Sequence, residues 1–196
     1  MKRSLALLLF CFPIGGETVE HRIQPDPAAH FTLYVAKTGL MSGRQHVLEF
    51  SRYDGTVRYD AQNPASSSVE FQVAADSLSV RDTWVSDGDR RKIHEFTLND
   101  MLDASRHPRI RFVSEAAEAA DDGNVRVTGS LTVRGIARPA SVLVRLAEKG
   151  DGFAIYEGSS TIRMTDYGLK PPKAALGMIG TKEEMTLRFR LKAAAP

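Results

Sequence analysis

The feature that most constrains the fold of this chain is an alternation of apolar and polar side chains that recurs along most of its length. In the final run, residues 185–191, every second side chain is apolar, and Arg188 and Arg190 lie between them. Shorter runs of the same kind occupy residues 31–35, 69–73, 109–113, 125–134, 142–146 and 153–155. A period of two residues is typical of strands with one buried and one solvated face. The chain is therefore predicted to be all-β.

Turn signals separate these runs. They include Asn63-Pro64, Pro171-Pro172 and the glycine-containing segments 122–124, 135–139 and 150–152. Such residues supply the backbone conformations that tight turns require. Asp54-Gly55, between two short β-like runs, predicts a tight hairpin.

One segment, residues 87–105, breaks the period of two. Its apolar residues are spaced mostly three to five apart, which suits a short helix with one apolar stripe. These residues are Ile93, Phe96, Leu98, Met101 and Leu102. Pro108 disfavours helix at His107, so the helical insertion should end before that point.

About eight strands joined by short turns must hide their edges in a sandwich or in a closed barrel. Sequential hairpins favour an antiparallel up-and-down β-barrel with an apolar interior and a charged exterior. A barrel of eight strands either fills its interior with its own side chains or holds one small ligand. We predict one domain over residues 19–192, and the residues after Leu191 are expected to form a loose tail.

The first residues have the pattern of a secretory signal. Lys2 and Arg3 precede an apolar run over residues 5–14, which is too short to span a bilayer. We therefore expect a signal peptide over about residues 1–16 and a periplasmic or secreted protein. Cys11 lies in this segment after Phe10, where lipoprotein signals need a small residue, so lipid attachment is not expected. The mature chain would have no cysteine and no integral membrane span.

Charge and histidine spacing exclude several classes of function. Loss of Lys2 and Arg3 would leave 24 basic against 24 acidic side chains. Such a neutral chain has no field of one sign to attract nucleic acid. The histidines lack metal-ligand spacing, so no metal site is predicted. The sequence neither requires nor excludes a homodimer.

Several blocks of this chain together resemble the YceI-like proteins, and they occur in the expected order along nearly the whole mature chain. The blocks are residues 30–35, Ala75-Asp76-Ser77-Leu78, Arg81-Asp82, Leu102-Asp103, residues 107–114, 127–135, 162–169 and 185–191. The resemblance implies an extended lipocalin-like barrel, exported to the periplasm. It also implies a long isoprenoid chain, such as a polyprenyl or quinone tail, in an internal tunnel. No obligatory cofactor is implied.

The barrel and the resemblance together indicate candidate ligand-binding residues, some expected to line the tunnel and others to pack behind it. They are Phe31, Leu33, Val35, Phe71, Val73, Phe112, Leu131, Val133, Val144, Ile155, Leu187 and Phe189. His30 falls at a family motif position and could contact the head group of a quinone, although a purely structural role is the main alternative.

No catalytic residues are predicted, because the chain lacks a Gly-x-Ser-x-Gly nucleophile elbow and a recognisable order of base and acid. Two alternatives to a lipid carrier stay open. One is a secreted structural or partner-binding barrel with a filled core. The other is an enzyme acting on a lipidic quinone, with His30 or Asp166 as general base. The interior volume of the barrel distinguishes the filled core from the carrier.

Overall fold

The structure is a computed structural model that describes residues 19–60 and 62–195. The predicted signal peptide and Cys11 lie outside the described residues. The strands are β1 (Val19–Ile23), β2 (His30–Gly39), β3 (Gln45–Phe50), β4 (Tyr53–Tyr59), β5 (Ser68–Ala74), β6 (Leu78–Val80), β7 (Arg109–Ala119), β8 (Val125–Val133), β9 (Ile136–Gly150), β10 (Phe153–Arg163), β11 (Lys173–Ala174) and β12 (Ile179–Ala194). Helix α1 (Asp87–Phe96) continues into a π-helical turn (Thr97–Met101).

The strands form a closed antiparallel barrel in chain order. β1 and β2 both pair with β12, so they form one interrupted strand. β3 and β4 likewise form one interrupted strand, because β3 pairs with β2 and β4 pairs with β1. β5 and β6 form another, because β5 pairs with β4 and β6 pairs with β3. β11 pairs only with β12 and lies outside the barrel path. With the three interrupted pairs each counted once, the barrel has eight strands, and it closes where β2 and β1 pair with β12. The predicted up-and-down barrel of about eight strands is confirmed.

The two ends of the barrel differ. The helix end carries α1 and the turns 40–44, 134–135 and 164–178. The terminal end carries the first and last described residues and the turns 62–67, 120–124 and 151–152. Ser86 caps α1 by accepting a hydrogen bond from the Asp89 backbone N–H at 3.1 Å. The predicted helical insertion is confirmed, and it ends at Leu102, before Asp103 adopts a positive φ of 48°.

The predicted hairpin at Asp54-Gly55 is wrong. Both residues lie inside β4, where Asp54 pairs with Gln72 and Gly55 pairs with Phe71. A Cβ atom at Gly55 would lie 2.5 Å from the Glu70 carbonyl oxygen. Glycine is therefore required here because the backbones of β4 and β5 approach closely, and not because the chain turns.

The predicted loose tail after Leu191 is also wrong. β12 continues to Ala194, and Ala193 is fully buried where it pairs with Ile23 and Ala154. The small side chains at residues 193–195 carry no alternation signal, so the sequence pattern could not reveal that the strand continues to Ala194. Across residues 19–60 and 62–195, no helix is long and apolar enough to cross a bilayer.

Candidate ligand-binding cavity

An elongated cavity of about 470 Å³ runs through the barrel. This volume lies within the range of ligand pockets, roughly 300 to 1,000 Å³. On β12 it is lined from Thr181 near the helix end to Leu191 near the terminal end. Ten residues of strand span about 33 Å, or roughly 25 Å along the barrel axis at a typical strand tilt. The barrel is therefore hollow, and the filled core that the sequence left open as an alternative is not what the structure shows.

Alternation determines which side chains reach the cavity. Val35 of β2 lies opposite His46 of β3, and Leu187 of β12 lies opposite Leu33, all on the inner face. The candidate residues that line the cavity are Phe31, Leu33, Val35, Phe71, Val73, Phe112, Leu131, Val133, Val144, Leu187 and Phe189. They come from six of the strands, so folding gathers residues that are far apart in the sequence. Their contact with a ligand stays a prediction.

Ile155 does not line the cavity. It pairs with Lys192, which is on the charged outer face, whereas its neighbour Tyr156 pairs with Leu191 and points inward. The sequence placed Phe153 and Ile155 on the inner face, but the inward residues of β10 are the even-numbered ones. The alternation in β10 is weak because apolar side chains occupy both faces at its start, and a bulge against β9 shifts the register there.

His30 is also outside the cavity. It is exposed at the start of β2, where it pairs with Arg190, and its side chain belongs to the outward series. The predicted contact between His30 and a ligand head group is therefore not supported. Asp166 is exposed on the outer surface as well, next to the end of β10.

The middle of the cavity is aromatic. The ring of Phe31 lies 5.1 Å from that of Phe71 and 6.2 Å from the rings of Phe50, Tyr53 and Phe189, measured between centroids. Tilted and edge-to-face arrangements of this kind stabilise aromatic clusters. The cluster gives the centre of the cavity a continuous apolar surface with no hydrogen-bonding requirement.

The helical insertion forms the wall at the helix end. Ile93, Phe96, Thr97, Met101 and Leu102 all line the cavity, although Phe96 remains 42% exposed. The sequence identified their apolar stripe but not its role, because the direction of a helix relative to a barrel is a tertiary property. His94 Nε2 lies 3.1 Å from the Leu78 carbonyl oxygen and fixes α1 against β6.

Polar side chains enter the cavity mainly at its two ends. At the helix end these are Lys37, His46 and Thr181. The Asp82 carboxylate, buried beside them, lies 2.6 Å from His46 Nδ1 and accepts a hydrogen bond from the Val47 N–H at 2.7 Å. Burial lowers the pKa of Lys37, and the charge of Asp82 partly opposes that shift. Sequence reasoning missed all of these residues.

At the terminal end, the hydroxyl of Tyr156 lies 3.3 Å from His21 Nδ1. Burial, together with nearby Tyr59, raises the pKa of Tyr156 to about 12. Burial, and then the charge of Lys149, lowers the pKa of His21. Both groups are thus held neutral near pH 7.

The outer surface carries a second, shallower groove of about 380 Å³ where β9 and β10 separate toward the helix end. Four residues line both this groove and the cavity: Ala140, Ser160, Ile162 and Tyr167. The Ser160 hydroxyl bridges the gap by donating to the Ser141 carbonyl oxygen at 2.7 Å. Within the described part of the chain, no three His, Cys, Asp or Glu side chains are arranged to hold a metal ion.

Residues 24–193 match the model of the YceI-like domain. The chain belongs to the YceI-like family. Curated relatives of this YceI-like protein include UPF0312 proteins of Pseudomonas savastanoi pv. phaseolicola, 28% identical over 130 residues, and of Pseudomonas aeruginosa, 29% identical over 126 residues. These matches cover 63% and 62% of each chain, so they span less than two thirds of the relatives' length.

Solved structures share the fold. BcnA from Burkholderia cenocepacia superimposes with a TM-score of 0.65 at 19% identity and covers 83% of this chain and 95% of its own. A polyisoprenoid binding domain from Saccharophagus degradans has a TM-score of 0.61 at 11% identity, with 92% and 100% covered. The Campylobacter jejuni YCEI protein has a TM-score of 0.60 at 13% identity, with 76% and 84% covered. At these identities the likeness establishes the fold.

Proposed function

We propose that this YceI-like protein binds a long isoprenoid lipid, such as a polyprenyl or quinone tail, and carries or buffers it without chemical change. The observation that carries the proposal is the continuous apolar cavity of about 470 Å³. The similar domain from Saccharophagus degradans is described as polyisoprenoid binding, which supports the same class of ligand.

The energetics of such a cavity suit a long hydrocarbon chain. Each buried methylene contributes about 0.8 kcal/mol, so a chain of several isoprene units gains affinity without a hydrogen bond. The aromatic cluster around Phe31 offers surface in the middle of the cavity, where a flexible tail would lie. The length of the cavity favours an extended ligand over a compact one.

The positions of the candidate bases favour binding over catalysis. The enzyme alternative used His30 or Asp166 as general base, and both are exposed on the outside of the barrel. A general base must come within hydrogen-bonding reach of the proton that it removes. Neither residue lines the cavity, so neither can reach a substrate held there.

The ligand can be identified directly. Protein purified from the periplasm of a bacterial host should release an isoprenoid in roughly stoichiometric amount on extraction into organic solvent, as detected by mass spectrometry. Recovery of lipid-free protein that also fails to bind added isoprenoids would refute the proposal.

A matched pair of variants tests whether the lipid lies inside the barrel. Ala140→Phe places a ring in the cavity, whereas Ala137→Phe adds the same ring on the exposed face of the same strand. We expect Ala140→Phe to lower isoprenoid affinity about tenfold or more, because a filled cavity excludes part of the chain. Ala137→Phe should bind like the wild type, and an equal loss in both variants would contradict an internal site.

We also propose that the protein is exported, on the basis of Lys2, Arg3 and the apolar run that follows. Expression of the full chain should yield a periplasmic or secreted product whose N-terminus lies near residues 15–20. Recovery of the intact chain from the cytoplasm would contradict this expectation.

A further inference from the structure

Three polar side chains, Lys37, Thr181 and His46, lie together on the inner face of three adjacent strands at the helix end of the cavity. Lys37 of β2 is the direct cross-strand partner of Thr181 of β12. His46 of β3 is the partner of Val35, one inward position along β2 from Lys37. Direct partners have Cβ atoms roughly 5 Å apart and diagonal ones about 7 to 8 Å. The three residues, here called the polar cluster, can therefore contact one small group.

Two members of the polar cluster lack partners of their own. The Thr181 Oγ1 atom is buried without a hydrogen-bond partner in the described chain. The cavity wall contains four cationic residues and, among the described residues, no aspartate or glutamate. Arg58, Lys92 and Arg145 pair with carboxylates, whereas Lys37 is absent from the ion pairs of residues 19–60 and 62–195. A partly buried cation and a buried hydroxyl without partners are unfavourable in an empty cavity.

Asp82 does not serve as the partner of Lys37 or Thr181. Its carboxylate already binds His46 Nδ1 and the Val47 N–H, and its side chain is fully buried. Because Nδ1 of His46 contacts Asp82, Nε2 on the other edge of the ring points away from Asp82. Asp82 thus orients His46 in the cavity wall and leaves Lys37 and Thr181 available to a ligand.

We propose that the polar cluster binds an anionic head group, a phosphate monoester or a carboxylate, at the end of the isoprenoid chain. This inference rests on the proposed function and specifies its ligand. Lys37 supplies the counter-charge, and the Thr181 hydroxyl donates a hydrogen bond to an oxygen of the head group. A charge-assisted contact in a site of low polarity is stronger than one in water. A neutral head group would leave Lys37 without an ion-pair partner.

Two lipids that differ only in the head group test the inference. Geranylgeranyl monophosphate and geranylgeraniol have the same tail, and their affinities can be measured by displacement of a fluorescent lipid. We expect the phosphate to bind wild-type protein at least about tenfold more tightly. Lys37→Met should abolish this preference and keep the affinity for the alcohol, which also shows that the variant is folded. Thr181→Val should reduce the preference by a smaller factor.

Lys182→Met is the matched control, since Lys182 is exposed beside Thr181 and does not line the cavity. It should behave like the wild type. Equal binding of the two lipids, or a preference that survives in Lys37→Met, overturns the inference while the proposed function stands. Failure of both lipids to bind contradicts the proposed function itself.

A different observation concerns the surface next to this end of the cavity. Leu40, Leu176 and Met178 are 74%, 104% and 55% exposed. The Leu40 N–H donates to the Met178 carbonyl oxygen at 3.0 Å, so the two turns form one apolar tip. Ala175 and Leu176 have φ values of 50° and 54°, which L-residues with side chains seldom adopt. A strained backbone therefore holds Leu176 in solvent instead of burying it.

The two segments that form the apolar tip carry positive charge. Segments 40–44 and 170–182 contain Arg44, Lys170, Lys173 and Lys182 and no acidic residue, in a chain that is nearly neutral as a whole. Pro172 and Thr181 of the same region line the cavity. A few apolar side chains combined with several basic ones match the two signals that hold peripheral proteins on anionic bilayers.

We infer that the apolar tip docks on a bilayer containing anionic lipids and places the helix end of the cavity at the membrane surface. Sedimentation with vesicles tests this, using phosphatidylcholine alone or mixed with phosphatidylglycerol. The protein should sediment with the mixed vesicles, and Leu176→Asp should reduce the bound fraction several-fold. Ala119→Asp adds the same charge to an exposed position at the terminal end and should bind like the wild type.

Equal binding of Leu176→Asp and Ala119→Asp, or no binding of the wild type to mixed vesicles, would overturn the docking inference. Ultracentrifugation of the same variants gives a second measurement. A dimer that Leu176→Asp dissociates, without vesicle binding, would show that a second copy of this chain covers the tip, and would equally overturn it.

Discussion

At the scale of single residues, His21 illustrates how an inward position changes the chemistry of a side chain. It lies on β1 between outward-facing neighbours and is buried beside the hydroxyl of Tyr156. Burial, and then the charge of nearby Lys149, lowers its pKa below the ordinary histidine value of about 6.5. The unfolded chain therefore binds a proton on His21 more readily than the folded barrel does.

This difference predicts a pH dependence of stability. With the folded pKa below 6.5, the free energy of unfolding should fall as the pH drops from 6.5 through the folded pKa, because protonation favours the unfolded chain. His21→Gln should show a smaller loss between pH 7 and pH 5.5 in urea titrations. His30→Gln, at an exposed position, should retain the wild-type slope. The same change in the free energy of unfolding with pH in all three proteins would contradict the assignment of this pH dependence to His21.

Positions such as Ile155 and His30 show where reasoning from residues alone reached its limit. Ile155 was a candidate for the cavity wall and His30 a possible head-group contact, and both lie on the outer face. In β12 the alternation is strong because outward positions are charged, whereas in β10 the start of the strand is apolar on both faces. Where the two faces of a strand differ little in polarity, the pairing with neighbouring strands determines which side chains point inward. The local sequence does not contain that pairing.

At the scale of elements, α1 and the π-helical turn that follows it form the most distinctive part of the fold. The insertion contributes cavity-lining residues while its outer side is solvated. Phe96 lines the cavity and is also partly exposed to solvent. π-Helical turns are often found at functional sites. The insertion covers the helix end of the cavity without being part of the barrel's hydrogen-bonded strands.

Ligand binding should therefore stabilise α1 more than the barrel strands. We expect hydrogen exchange of amides in residues 87–101 to slow about tenfold or more on saturation with geranylgeraniol, because the lipid would fill the space beneath the insertion. Amides of β8, which are already paired on both sides, should change little. A uniform slowing of both segments would show global stabilisation instead of a local effect on the helix.

At the scale of the whole molecule, the barrel closes where β12 pairs with β2, and β1 extends this closure at the terminal end. Two residue pairs, Arg22–Ala194 and Ile23–Ala193, form this terminal closure. A closed barrel has no exposed edges, which otherwise favour association with other chains. The last residues of β12 thus have a structural importance that their simple composition does not indicate.

Removal of residues 192–196 should open this closure. We expect the free energy of unfolding to fall by about 2 kcal/mol or more, because the buried Ala193 and its backbone hydrogen bonds are lost. Removal of residues 195–196 alone should cost less than about 1 kcal/mol, since it affects one backbone bond to Gly152. Urea titration of the two truncated proteins measures the difference, and equal stability would contradict a role for the closure.

The sequence by itself determined the class of fold, because alternation of apolar and charged residues at period two is typical of strands with one buried face, and sequential hairpins favour an up-and-down barrel. It also determined the helical insertion and eleven of the cavity-lining residues, including Phe31, Phe112 and Leu187. These features depend on contrast between neighbouring residues, which is local information.

Only the tertiary structure decided whether the apolar faces meet or leave a space, because that depends on the barrel diameter and on how side chains from different strands fill it. It alone brought Lys37, Thr181 and His46 together, since their strands are adjacent only in the folded barrel. It also joined Leu40 to Met178 in one exposed tip. Such contacts between residues distant in the chain are set by register and closure, not by local pattern.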